Sequence, residues 1–289
     1  MKMGDRPIIA LMYDFDKTLC TKDMQEYGFI DRVGMTPENF WEESNGLAKK
    51  EKMDKILAYM HTMLDKSKSM KKPIKREDFV NLGKDLEFFS GVEEWFERMN
   101  YLGKDLGMEI QHYVISSGLK EIIEGCKIYK NGKTFKEIFA CEFFYEENGV
   151  ACWPKNVINY TTKTQFLFRI NKGLLDISED DELNKYTPED DRPIPFRNMI
   201  YIGDGLTDVP CMKLVKVNGG CAVAVYDEGN KSKAQNLIRD NRVDYIVPAN
   251  YSEKGELDKT VSDVICKIAM VDSLKKKSSQ QRKEAIANK

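Results

Sequence analysis

The sequence predicts an α/β protein, in which helices flank a parallel sheet and a helical module is inserted straight after the first strand. Three observations carry this. Residues 8–13 (Ile8, Ile9, Ala10, Leu11, Met12, Tyr13) form an unbroken apolar run that stops at Asp14 and Asp16. Such a run reads as a strand buried on both faces of a parallel sheet. From Ser90 onward, strand-like and helix-like stretches alternate in the rhythm of βαβ units. Between residues 23 and 89 almost nothing resembles a strand, and apolar residues recur at spacings of three and four.

Composition narrows the chemistry before any motif is considered. At 289 residues the chain can bury a full core, as one large domain or one domain plus a smaller one. The balance of 47 acidic against 45 basic residues leaves a charge of −2, which exerts no overall pull on nucleic acid or an anionic membrane. No apolar stretch reaches the length of a membrane span, and no signal-type apolar core precedes the first strand. The seven cysteines are scattered and lack any C-x-x-C pair, so they read as reduced thiols of a cytoplasmic protein. The only histidines, His61 and His112, have no ligand spacing, which argues against zinc and against a histidine-based triad. The chemistry therefore falls to carboxylates, hydroxyls and lysines.

In chain order, Thr36-Pro37-Glu38 marks a helix start, with Thr36 as the cap and Pro37 in the first turn. Met53, Ile56, Leu57, Met60, Met63 and Leu64 lie on one face of a helix, and Phe79, Leu82, Leu86 and Phe89 on one face of another. Residues 66–75 are basic and polar and read as a loop. A further helix begins at Ser90-Gly91-Val92, with Val92, Trp95, Phe96, Met99 and Leu102 on one side, and Gly103 and Gly107 closing it. Residues 108–115 read as a strand interrupted by Ser116-Ser117-Gly118, with a helix from Leu119. Two strands, 138–145 and 149–153, are joined by a turn at Glu147-Asn148-Gly149. Residues 161–171 are helical. Residues 176–195 are acidic, hold three prolines and read as an exposed loop or small insertion. A strand at 198–202 leads into Gly203-Asp204-Gly205. Then follow a helix at 207–215, a strand at 221–226, a helix at 231–239, a strand at 243–247 and a last helix at 257–270. The Lys-, Ser- and Gln-rich tail from Leu274 is expected to be frayed.

The strand ends carry the functional expectation. Residues i and i+2 of a strand share a face, so Asp14 and Asp16 can address one ligand. Two carboxylates this close repel unless a cation joins them or one keeps its proton. The pair therefore points to a metal site or to an acid and a nucleophile. Ser116, Ser117 and Gly118 supply a hydroxyl and a helix start, Lys163 a positive charge, and Asp204 and Asp208 further acids. In a parallel sheet these ends gather on one edge, where ligands bind. A helix N-terminus favours phosphate, and hard carboxylate and carbonyl oxygens suit magnesium.

With these residues in view, the chain resembles the haloacid dehalogenase-like hydrolases, in particular their phosphoserine-phosphatase-like branch. DFDKTL is similar to the first motif, D-x-D-x-T. VISSG resembles the second, a hydrophobic strand ending in Ser or Thr. Lys163 falls where the third-motif lysine is expected, and IGDGLTD resembles the fourth, G-D-x-x-x-D. All four occur in order between Ile8 and about Val247. The resemblance implies a Rossmann-like core formed by residues 1–21 and 90–273, a helical cap formed by residues 22–89, and a flexible polar tail at 274–289. It also implies a phosphatase that acts through an aspartyl-phosphate. Asp14 would be the nucleophile and Asp16 the general acid and base. Ser116, the Ser117 amide and Lys163 would bind phosphoryl oxygens, with Gly118 beside them. Thr18 would fix the loop that carries Asp16. Magnesium would be held by the Asp14 carboxylate, the Asp16 backbone carbonyl and Asp204. Asp208 would support the ion's water shell or Lys163. Asp23 could meet an amine on the substrate. The long acidic segment departs from compact members of the branch. The expected substrate is a small phosphorylated metabolite, not a nucleic-acid polymer or a membrane lipid. A nucleotidase or other phosphoryl-transfer enzyme on the same scaffold is the alternative, followed by a non-catalytic binding protein of this fold. Neither the substrate nor the oligomeric state is legible at this stage.

Overall fold

The apolar run at the start of the chain becomes the central strand of a seven-stranded sheet in the computed structural model, which describes residues 6–227, 229 and 231–287. In chain order the strand β1 (Ile8–Tyr13) is followed by four helices, α1 (Phe29–Arg32), α2 (Pro37–Glu51), α3 (Lys55–Ser69) and α4 (Arg76–Leu82). Then come α5 (Val92–Asp105), β2 (Glu109–Leu119), α6 (Lys120–Glu124), β3 (Glu137–Tyr145), β4 (Ala151–Asn156) and α7 (Lys163–Lys172). The rest is α8 (Asp181–Asn184), β5 (Met199–Gly203), α9 (Val209–Val217), β6 (Cys221–Tyr226), α10 (Lys231–Arg239), β7 (Tyr245–Pro248) and α11 (Glu256–Ala287).

The strand order is β4-β3-β2-β1-β5-β6-β7, parallel throughout except for the antiparallel edge strand β4. The chain winds outward from β1 through β2 and β3, then returns to the other side of β1 as β5. The β1–β5 junction is therefore a topological switch point, where an open sheet leaves a crevice at its carboxyl edge. The central strands β1, β5 and β6 are buried along almost their whole length, as their unbroken apolar runs require.

The four helices after β1 are sealed to the sheet by aromatic packing. Phe29 contacts Phe40 and Phe79, and Phe79 stacks on Phe143 of β3 at 5.5 Å and 9°. The helices α4 and α6 approach backbone to backbone. A Cβ at Gly83 would lie 2.1 Å from the Ile122 carbonyl oxygen, and one at Gly125 would lie 1.8 Å from that of Val80. Only glycine permits this contact. Thr36 caps α2 by accepting from the Asn39 N–H, with Pro37 in its first turn, as the sequence predicts.

Several boundaries differ from expectation, and the basic stretch expected as a loop from residue 66 is still part of α3 as far as Ser69, because the helix runs on until Met70. The second amphipathic stretch after β1 is helical only over α4 and a 3-10 turn at Gly83–Asp85, so Leu86 and Phe89 lie beyond it. Gly83 sets that limit, because the backbone must come close to α6. The strand β2 does not break at Ser116 but continues to Leu119. Its register against β3 jumps from Ile115↔Phe139 to Leu119↔Cys141, so four residues advance against two. Such a bulge bends a strand and re-aims its side chains. The tail expected to be flexible from Leu274 instead continues α11 as helix through Ala287, with exposed side chains. No Gly or Pro interrupts it, and extending an existing helix costs far less than nucleating one.

Candidate active site

The carboxyl edge at β1 and β5 opens into a cleft of about 390 Å³, lined by Asp14, Asp16, Lys17, Asp23, Ile56, Ser117, Lys163, Asp204, Gly205, Leu206, Thr207 and Lys233. Larger and smaller hollows exist elsewhere, but none collects these acids. Asp14 follows β1 directly, and its N–H extends the sheet by donating to the Ile202 carbonyl at 2.9 Å. The residue is 6% exposed. Lys163, the first residue of α7, is buried and donates to the Asp14 Oδ1 and the Asp208 Oδ1, each at 2.8 Å. Asp208 also accepts from the Tyr201 hydroxyl at 2.8 Å. A Cβ at Gly203 would stand 2.6 Å from the Asp208 Oδ2, so the glycine before Asp204 is what lets Asp208 fold back under the strand.

One oxygen each from Asp14, Asp204 and Asp208 lies within 4.8 Å of the others. Asp208 is already engaged by a lysine and a tyrosine. Asp204 accepts no hydrogen bond from the described residues. Burial, then the Asp14 and Asp208 charges, push its carboxyl up to about 8. Burial and the Asp208 charge push Asp14 up to about 7 against the opposing pull of Lys163. The buried Asp14 carboxylate, paired through Oδ1 with Lys163, and the half-buried Asp204 carboxylate, which has no such partner among the described residues, lie close together as a hard, all-oxygen donor set, which fits magnesium. The Asp16 side chain is outside this cluster. Only its backbone carbonyl was expected to reach an ion.

Asp16 occupies a different environment. Its Oδ1 accepts from the Met24 N–H at 2.9 Å and from the Cys20 thiol. Burial, then the Asp23 and Asp14 charges, hold its carboxyl well above the ordinary range. It therefore keeps its proton where an exposed aspartate would not. A Cβ at Gly118 would come 2.2 Å from the Met24 Cε and 3.0 Å from the Asp16 Oδ2. Glycine at 118 thus makes room for Met24 and Asp16, and Gly118 is not among the cleft-lining residues. Burial alone would lower the pKa of Lys163, but the Asp14 and Asp208 charges outweigh it and the net shift is upward. The lysine is firmly protonated.

The two serines of the bulge diverge. Ser116 is fully buried and its Oγ accepts from the Gly118 N–H at 3.0 Å. Ser117 lines the cleft, and its buried Oγ has no hydrogen-bond partner. Of the two, Ser117 and not Ser116 is among the cleft-lining residues, although its Oγ is itself buried. Thr18 is wholly buried and absent from the cleft lining. Its carbonyl accepts from the Tyr251 hydroxyl at 2.9 Å, which ties the loop after β1 to the far end of the chain. Asp23 lines the cleft but is already ion-paired with Lys17.

Residues that sequence reasoning did not single out complete the site. The Tyr59 hydroxyl of α3 donates to the Ser117 carbonyl at 2.7 Å, and Ile56 of the same helix lines the cleft. Asp54 caps α3 by accepting from the Ile56 and Leu57 N–H groups. Its other oxygen accepts from the Asn159 side chain at 2.9 Å. The Asn159 carbonyl accepts from the Lys163 N–H at 2.9 Å. A short chain of bonds thus joins the helices after β1 to the start of the lysine helix. Tyr201 could have been found from sequence, because it stands two residues before Gly203 and so shares its strand face. Lys233 had no such signal, since only the folded sheet brings α10 to this edge.

A family model for haloacid dehalogenase-like hydrolases matches residues 11–213. A protein of Borreliella burgdorferi, described only as uncharacterized, is 30% identical over 286 residues, which cover 90% of this chain and 97% of that one. A haloacid dehalogenase family hydrolase from Salmonella enterica subsp. enterica serovar Typhi superposes with a TM-score of 0.57 at 15% identity, over 85% of this chain and 69% of that one. A phosphoserine phosphatase solved as a phospho-aspartyl intermediate analogue superposes with a TM-score of 0.52 at 17% identity, over 89% and 98% of the two chains. At such identities the two structures speak to the fold.

Proposed function

Given that this chain belongs to the haloacid dehalogenase-like hydrolases, we propose that it is a magnesium-dependent phosphomonoester hydrolase acting on a small phosphorylated metabolite. The observation that carries the reading is the pair of unlike aspartates at the end of β1. Asp14 is gripped by Lys163 and lies against Asp204, whereas Asp16 stands outside that cluster, accepts from the Met24 N–H and has its carboxyl pKa held well above the ordinary range. Either a cation or a retained proton relieves two neighbouring carboxylates of their repulsion, and here Asp14 is set against a candidate cation site while the Asp16 pKa is raised toward keeping its proton.

The chain's own residues then divide the work. An Asp14 carboxylate oxygen attacks phosphorus and forms an aspartyl-phosphate as the ester P–O bond breaks. Asp16 gives its proton to the departing alcohol oxygen. The resulting Asp16 carboxylate takes a proton from water, which attacks the same phosphorus, releases inorganic phosphate and restores Asp14. Lys163 and the hydroxyl and amide of Ser117 hold charge on the phosphoryl oxygens, where it spreads in the transition state. Ser116 and Gly118 shape the bulge from behind, and Thr18 anchors the loop. Asp208 fixes Lys163. Magnesium, held through Asp14 and Asp204, would neutralise the carboxylates and the phosphoryl group. The helices at residues 22–89 act as the cap. Ile56 and Leu206 are the aliphatic part of an otherwise polar, charged lining, which suits a small polar alcohol as the leaving group.

The test is phosphate release from a panel of phosphomonoesters, nucleoside monophosphates included, with magnesium or with chelator, for wild type and Asp14→Asn. Magnesium-dependent turnover that is lost in Asp14→Asn is the expected result. Turnover that survives in Asp14→Asn would refute the nucleophile assignment.

A further inference from the structure

Three lysines line the cleft, and two are already committed. Lys163 is held between Asp14 and Asp208. Lys17, in the left-handed region at φ 56°, is paired with Asp23. Lys233 lies in the first turn of α10 and is exposed, with no carboxylate partner among the described residues. Its position is not free to drift, because Ala234 and Leu237 bury the other face of α10. The neighbouring Lys231 turns away and lies 5.9 Å over the Tyr226 ring, which leaves Lys233 as the basic group that this helix presents to the cleft. The phosphoryl group already has Lys163 and the Ser117 bulge. An additional uncommitted cation in the lining has no task on that half of the ester.

We propose that Lys233 is a specificity-determining residue that binds a second anionic group, a carboxylate or a further phosphate, on the alcohol half of the substrate. The inference rests on the phosphomonoester reading and deepens it: the substrate class becomes small phosphate esters carrying another negative charge. A carboxylate or phosphate meeting an ammonium at the mouth of a cleft gains a charge-assisted hydrogen bond. The charge assistance is lost when the same position bears a neutral hydroxyl, so the discrimination is about tenfold in kcat/KM.

The experiment compares 3-phosphoglycerate with glycerol 3-phosphate, and glucose 1,6-bisphosphate with glucose 6-phosphate, in wild type, Lys233→Met and Lys233→Arg. The first pair reports a carboxylate and the second a further phosphate. Wild type should favour the more highly charged member of at least one pair. Lys233→Met should lower that preference about tenfold, and Lys233→Arg should restore it. An unchanged ratio, or an equal loss on both members of each pair, would overturn the inference; the first outcome would make Lys233 a solvated surface residue and the second a ligand of the scissile phosphoryl group. Calorimetric titration of the same esters into Asp14→Asn and Asp14→Asn/Lys233→Met reads the contrast as binding, without turnover. If no ester is hydrolysed but the binding contrast stands, the phosphatase reading falls and the anion site survives. If the binding contrast is missing, the anion site falls whatever the turnover.

Discussion

Two segments depart from the plain alternation of strand and helix, and they are held in place by largely different means. The helices after β1 are attached through apolar surface: Phe29, Phe40, Tyr59, Met60, Met63 and Phe79 are all buried in the same continuous core as the strands. The acidic segment that follows α7 buries Ile194 in that core and is otherwise attached through polar side chains of α7 itself. The buried Arg169 donates to the carbonyls of Asp176, Ile177 and Glu179 and to the Asp180 carboxylate. Asn171 donates to the Ile194 carbonyl, and Lys172 reaches the Leu183 and Lys185 carbonyls. The first segment meets the cleft through Ile56 and Tyr59. The second contributes none of the cleft-lining residues and grips the back of the helix whose first residue is Lys163. Hydrophobic attachment is non-directional and scales with area, whereas the polar strap depends on one guanidinium meeting several carbonyls at once.

The largest expected effect tests the first attachment. Phe79→Ala removes the ring stacked between Phe29 and Phe143 and should cost about 3–5 kcal/mol in urea unfolding. A loss below about 1 kcal/mol would show that the helices are not bound through this core. Next is Arg169→Met, which leaves the carbonyls of the strap without their donor. We expect a loss of about 1–3 kcal/mol and faster tryptic cleavage at Lys185, at the exposed end of α8. Proteolysis at the wild-type rate would break the contrast between the two attachments. Smaller again is Asp54→Ala, which removes an N-cap worth about 1 kcal/mol together with the bond to Asn159. Asp54→Ser keeps a cap oxygen but not the second oxygen that reaches Asn159. Both variants should therefore lose a few-fold in kcat, while only Asp54→Ala should lose stability. If Asp54→Ser retains full kcat, the bond chain from α3 to the lysine helix has no bearing on catalysis.

A further prediction concerns the edge between the two segments. Asp14 and Asp204 have carboxyl pKa values raised by burial and mutual charge, to about 7 and about 8. Without a divalent cation, the folded chain binds more protons than the unfolded chain between the ordinary carboxylate range and pH 8. Stability must then decline as pH rises through that window, which spans about 4 to 8. Magnesium should reverse the decline. The Asp14 value already carries the opposing Lys163 charge, and the decline is read as a Tm that falls with rising pH in calorimetry with chelator. A Tm that climbs over the same window would refute the raised values. The slope belongs to the sheet edge, so it should be the same in Arg169→Met as in wild type.

Much of this was legible in the sequence for a simple reason. Periodicity reports burial, and burial assigns elements: β6 and α10 fall at 221–226 and 231–239, as their patterns predict. The buried run ending at Asp14, the Gly203-Asp204-Gly205 turn and Lys163 at a helix start were each visible as local patterns. The structure brings Asp14, Lys163, Asp204 and Asp208 together. Local pattern failed where a contact was distant. The serines were read as a break, because no strand propensity announces a bulge. The aromatic stretch from Phe79 was read as one helix, although close packing against α6 ends it at Gly83. The tail was read as frayed from its polarity alone, yet it continues a helix nucleated by the apolar residues before it.

The sequence by itself determined the class of fold and the identity of the acids, because both depend on residue type and short-range spacing. Tertiary structure alone decided which carboxyl pKa values are raised, which serine lines the cleft and which cleft lysine has no carboxylate partner among the described residues. Those outcomes depend on distances between residues remote in the chain, such as Lys163 to Asp14, Tyr59 to Ser117, and α10 to the mouth of the cleft. Electrostatic energy falls with distance and rises with burial, and neither quantity is written in the order of residues.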